Sequence, residues 1–114
     1  MLSFPPTIKA FVCSVPVDMH KSFDGLCGAV TELMGADPIS GHLFVFFNHR
    51  KTLVKVLVWD RTGYCIWCKR LEQGRFHHTQ EDVPIELPRL MLILEGIDLS
   101  TARYRKRFTI QKNS

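Results

Sequence analysis

The residue types best suited to chemistry in this chain are a cysteine pair, Cys65-Ile66-Trp67-Cys68, with two histidines, His77 and His78, close behind it. Thiolates and imidazoles are the usual ligands of zinc. Residues three apart on a β-strand point to opposite faces, however, and the residues around this pair are strand formers, so the two thiolates do not converge on one ion unless the strand breaks. The adjacent histidines also lack the separation found in ordinary fingers. A redox role meets a similar objection, because a thioredoxin-like pair needs a helix N-terminus to lower its thiol pKa. Core packing is the expected role of Cys65 and Cys68, as of Cys13 and Cys27, with all four thiols reduced and free of metal.

Hydrolytic chemistry on nucleic acid needs carboxylates gathered on a metal, and Asp18, Asp60, Glu72, Asp82 and Glu86 are the candidates for a metal-dependent nuclease. Nothing in their spacing forces them together. Asp60 opens a turn, and Asp18 precedes a helix, where a carboxylate can cap free amide groups. No catalytic residue and no cofactor is therefore expected.

Cations offer a different kind of site. Arg50 and Lys51 share one loop, Lys55 lies on the strand that follows, and Lys69, Arg70 and Arg75 lie at and beyond the end of the next strand. Arg103, Arg105, Lys106 and Arg107 make a basic tail, and Trp59, Tyr64, Trp67, Phe76, Tyr104 and Phe108 are interleaved with these groups. Basic side chains neutralise phosphates and aromatic rings stack on exposed bases, which suits distorted or single-stranded DNA. Two other readings compete with DNA contact: a solvated surface over an aromatic core, and an adaptor that docks on the transposase or another protein through Trp67 or the mixed sheet face.

The elements that must carry these groups follow from pattern. The 114 residues are 46% hydrophobic, enough for one core, and carry a net charge of +4. Thirteen of the fifteen Lys and Arg lie from Arg50 onward, so the second half is the basic one. No apolar run reaches the roughly 18 residues of a membrane span, and MLSFPPTIK has no signal-peptide core before its prolines, so a cytoplasmic protein is expected.

Ile8 to Val15 reads as a strand, and a helix follows from Ser22 or Phe23 to Met34, with Phe23, Leu26, Cys27, Val30, Leu33 and Met34 on one stripe and Gly35 as its stop. After the turn cluster at 37–41 comes a three-stranded meander, 43–48, 53–60 and 64–70. A four-residue loop Asp60-Arg61-Thr62-Gly63, with Gly63 in the left-handed region, sets Trp59 opposite Tyr64, Leu57 opposite Ile66 and Lys55 opposite Cys68. One face then carries Leu43, Val45, Phe47, Val54, Val56, Val58, Cys65 and Trp67. The other mixes Phe44, Phe46, Leu57 and Trp59 with Lys55. Both need cover, available from the first helix and from a second at Pro88 to Gly96. Residues 75–86 read as a polar loop with a short extended piece near Val83 to Glu86.

Gly63 to Phe76, G-Y-C-I-W-C-K-R-L-E-Q-G-R-F, preceded by K-V-L-V-W-D, resembles the signature of the small accessory protein, TnpB or Orf2-like, of bacterial insertion sequences of the IS-sixty-six type. V-D-M-H-K (Val17 to Lys21), D-G-L (Asp24 to Leu26), D-P-I-S-G (Asp37 to Gly41) and L-F-V-F-F-N (Leu43 to Asn48) match in the same order. The chain departs from that pattern at His20 and Phe47, where the family has or favours Arg, and at Cys68, usually an aromatic. The resemblance implies a part in transposition beside a larger transposase and supplies no catalytic residues.

Together these readings give a single α+β domain over residues 1–100, a mostly antiparallel sheet with two helices, and a basic tail over 101–114. The expected function is non-catalytic assistance to DNA transposition, through DNA or through the transposase.

Overall fold

Residues 7–78 and 84–96 are described by the computed structural model, so the basic tail and Asp82 lie outside the described residues. The elements in chain order are β1 (Lys9–Val12), α1 (Phe23–Met34), β2 (Leu43–Phe47), β3 (Leu53–Trp59), β4 (Tyr64–Arg70), β5 (Ile85–Glu86) and α2 (Leu87–Leu94). The strands form one sheet in the order β4-β3-β2-β1-β5. The first strand is shorter than the alternation of residues 8–15 predicts. It stops at Val12, and the Cys13 and Val17 amides continue to bond the Val45 and Phe47 carbonyls.

The hairpin register is the predicted one: Trp59 pairs with Tyr64, Leu57 with Ile66 and Lys55 with Cys68. The turn differs in its backbone. Arg61, with φ 52°, takes the left-handed conformation expected of Gly63. Asp60 closes the loop, its N–H donating to the Gly63 carbonyl at 2.8 Å and its own carbonyl accepting from Thr62.

β1 pairs with β2 in parallel, Ala10 beside Leu43 and Val12 beside Val45, while the other pairs are antiparallel. A parallel neighbour requires a crossover, and α1 supplies it. Because the sheet is apolar on both faces, it is covered on both. Leu26, Ala29 and Val30 of α1 pack with Phe44, Phe46 and Leu57, and Leu90, Ile93 and Leu94 of α2 pack with Val45, Phe47, Val54 and Val56. Burying such side chains stabilises by roughly 1.5–3 kcal/mol each.

The buried stripe of α1 is narrower than its spacing predicts. Phe23 and Leu33, at the two ends of the helix, remain exposed. Gly35 ends the helix with φ 60°, and the Ala36 N–H returns to the Val30 carbonyl at 3.1 Å. Asp18 does not cap it. Its Oδ1 accepts the His20 N–H at 2.9 Å, forming a turn before the helix begins, and this bond lowers its pKa.

Candidate nucleic-acid interface

The basic residues separate into two groups by what holds them. Asn48 follows β2, and its Oδ1 accepts the backbone N–H groups of Thr52 (2.9 Å) and Leu53 (3.0 Å), while Nδ2 donates to the Thr52 hydroxyl (3.1 Å). This clamp folds residues 48–52 into a tight loop that presents Arg50 and Lys51. Lys51 adopts φ 60°, and its ammonium sits 5.7 Å from the centre of the Phe47 ring.

The chain after β4 runs back along that loop. Leu71 N–H donates to the Thr52 carbonyl at 2.9 Å, and Phe76 N–H donates to the Lys51 carbonyl at 2.8 Å. Phe76 is buried against Phe47, with ring centres 5.5 Å apart. Arg75, next to Phe76, is therefore carried to the side of Lys51, and Arg70 pairs with Leu53 at the same end of the sheet. Arg50, Lys51, Arg70 and Arg75 thus share one end, three of them exposed and Lys51 half-buried. Arg70 Nε also donates to Glu72 at 3.0 Å, an exposed pair worth about 0–1 kcal/mol.

Lys55 and Lys69 are engaged elsewhere. Lys55 Nζ donates to the Lys21 carbonyl, 2.8 Å away at the entrance to α1, and Lys69 Nζ donates to the Leu94 carbonyl, also at 2.8 Å, at the exit of α2. Their stems lie on opposite faces of the sheet. Arg103, Arg105, Lys106 and Arg107 lie outside the described residues, as do Tyr104 and Phe108.

Beside the basic end is a cleft of about 210 Å³ between residues 12–16 and the start of the 48–52 loop, with Phe47, His49, Lys51 and His78 in its wall. The His78 ring stacks on Phe47 at 6.5 Å. Asn48 and His49 are not among the Lys and Arg that the charge pattern singles out, although an Asn at the end of an apolar strand, four residues before Thr52, is a signal for a side chain that ties a loop.

Two of the four cysteines, Cys65 and Cys68, depart from the packing role, whereas Cys13 and Cys27 keep it. Cys13 is buried and Cys27 half-buried, but Cys65 and Cys68 are exposed: among the described residues β4 is the edge strand, and the helices cover it only in part, with Tyr64 and Ile66 packed on the α1 side. Their partners in register, Val58 and Lys55, place the two thiols on opposite faces. Among the described residues no three His, Cys, Asp or Glu side chains gather where a metal could sit, and no helix is long and apolar enough to cross a membrane.

A mixed sheet covered by one helix on each face, with cations gathered at one end, defines a small α+β domain whose polar features lie at its rim. The chain belongs to the IS66 Orf2-like family, whose sequence model matches residues 8–104. That membership associates it with insertion-sequence transposition. It is similar to the uncharacterized protein y4hO of Sinorhizobium fredii, with 32% identity over 101 residues, 86% of this chain and 88% of the relative. A second protein of that organism, uncharacterized protein y4jC, is 33% identical over 69 residues, 60% of this chain and 59% of the relative. No solved structure matches.

Proposed function

We propose that the protein is a non-catalytic accessory factor of transposition that holds DNA at the end of the sheet formed by Arg50, Lys51, Arg70 and Arg75. The observation that carries this reading is the pair of backbone hydrogen bonds from Leu71 to Thr52 and from Phe76 to Lys51, which unites two basic segments that the sequence separates by about twenty positions. Cations fixed on a tied backbone lose less freedom on meeting phosphates than cations on a free loop. The tail residues Arg103, Arg105, Lys106 and Arg107 would extend the same contact.

Salt dependence tests it. Each phosphate contact contributes about 0.9 to the slope of log affinity against log salt. DNA binding by the full chain is expected to weaken steeply with salt, and Arg50→Ala with Arg75→Ala to flatten the slope by up to about two such contacts. Replacing the four tail cations by Ala should flatten it further while leaving the fold intact. A slope unchanged in both variants sinks the reading and leaves an adaptor that docks on the transposase, whose binding would tolerate salt.

A further inference from the structure

The outer edge of β4 has no strand beside it among the described residues, although its seven residues are flanked by exposed apolar groups. Which backbone groups that edge offers follows from the ladder with β3. Asp60 bonds Gly63 and Leu71 bonds Thr52, so the hydrogen-bonded pairs between these strands fall at the odd-numbered residues of β4: Cys65, Trp67 and Lys69. The N–H and C=O groups of Tyr64, Ile66, Cys68 and Arg70 therefore point outward.

We propose that β4 is a homodimer interface, on which a second copy of the chain pairs antiparallel about a two-fold axis at Trp67. With Trp67 opposite Trp67, Ile66 of one copy faces Cys68 of the other, and Tyr64 faces Arg70. All four outward residues then pair with outward residues, giving about eight hydrogen bonds between the copies. A slip of two residues leaves an outward residue of each copy beyond the end of the partner strand, with about six bonds, and a slip of one sets outward groups against inward ones.

Charge selects the same arrangement. The two cations of β4, Lys69 and Arg70, sit at one end of a strand that has no acid. In the two-fold register they meet Cys65 and Tyr64, whereas a parallel pairing would lay cation beside cation, and it would not close as a dimer. The central pair is of the non-hydrogen-bonded kind, in which side chains approach most closely.

The side chains around the axis complete the surface. Trp67 is 45% exposed and Met91 of α2 is 48% exposed. Between β4 and α2 lies an apolar groove of about 440 Å³, with Val56, Val58, Leu90 and Leu94 in its walls. An indole held at the axis stands beside its own groove and within reach of that of its partner. Aromatic anchors beside an apolar pocket are the usual energetic centre of such interfaces. This inference does not depend on the DNA reading.

The test is sedimentation of the full chain together with variants at the edge. The wild-type chain is expected to be a dimer that dissociates on dilution. Cys68→Pro removes an outward N–H from an exposed residue without touching the ladder to β3, and is expected to give a monomer. Trp67→Glu changes an exposed side chain and decides the question should the proline variant fail to fold. Trp67→Cys, combined with Cys65→Ser and Cys68→Ser, is expected to form a disulfide between the two copies under mild oxidation, because opposed residues of this kind lie within disulfide reach. A wild-type chain that stays monomeric at high concentration, or a dimer that survives Trp67→Glu and gives no cross-link between positions 67, overturns the proposal.

Discussion

Lys69 Nζ donates to the Leu94 carbonyl oxygen at 2.8 Å, so a residue near the end of β4 closes the C-terminus of α2. The helix itself ends without a basic residue in its last turn, and a cation supplied by the sheet takes that place beside the negative end of its dipole. Lys69 lies in a K-R pair that reads as a binding patch, yet its partner in this fold is a helix end.

Lys69→Met tests that role, since it keeps the apolar stem and removes the charge. Stability is expected to fall by about 1 kcal/mol, which lowers the melting temperature of a domain of this size by roughly 4–8 °C. DNA affinity should change little. A variant that melts like the wild type and binds DNA poorly would reverse the assignment.

The neighbouring arrangement explains how far the sequence could be read. The Asp60-to-Gly63 loop and the alternation on either side of it determine the β3–β4 register, so the pairings were legible. Which helix covers which face was not, because Phe44 and Phe46 on one side are as apolar as Val45 and Phe47 on the other. Nor was the approach of the segment that carries Arg75 to the loop that carries Arg50, which rests on backbone bonds from Leu71 to Thr52 and from Phe76 to Lys51. Two apolar residues inside a basic stretch were the available signal. Cys65 and Cys68 misled for a related reason: an edge strand has the composition of a central one, and only the sheet order shows why these two positions are left exposed.

Asn48→Ala is expected to lower stability by about 1–3 kcal/mol, since it leaves the Thr52 and Leu53 amides without their acceptor. The same loop presents Arg50 and Lys51, so DNA affinity should fall as well, even at temperatures where the variant is fully folded. Chemical denaturation and DNA titration on the same sample measure both. An affinity that stays at the wild-type level in the folded variant would detach the loop from binding.

Lys51→Gly separates charge from fold at one position. With φ at 60°, Lys51 bears a left-handed backbone that costs about 1–2 kcal/mol and that glycine adopts freely. Against that relief stand the lost contact with the Phe47 ring, about 0.5–1 kcal/mol, and the greater freedom of glycine when unfolded, about 0.5–1 kcal/mol. The melting temperature should therefore stay close to that of the wild type while DNA binding weakens and its salt slope drops. A large loss of stability would show that the lysine is structural.

Tyr64 gives a prediction in pH. Its hydroxyl is pushed up to about 12, first by a hydrogen bond with the Cys27 thiol and then by burial. A raised folded-state pKa on an acid that is neutral below it means that the bond contributes fully below the unfolded value of 10 and is lost as pH rises toward 12. Between those values the wild-type melting temperature should fall with a component that Tyr64→Phe lacks. Parallel curves for the two proteins over that window would remove Tyr64 from the alkaline limb.

The charge swap Arg70→Glu with Arg75→Glu addresses the basic end as a whole. Both side chains are exposed, and the one ion pair broken, Arg70 with Glu72, is worth about 0–1 kcal/mol. Neither residue contributes to the two core clusters, so the variant should melt within a few degrees of the wild type. Two carboxylates placed where phosphates would lie add repulsion to the lost attraction, so DNA binding and transposition of the element should both be abolished. Normal melting with normal transposition would exclude this end of the sheet from function, whereas a collapse of stability would mean that the cations hold the loops together. Circular dichroism melts, run beside a transposition assay in cells that carry the whole element, distinguish the three outcomes.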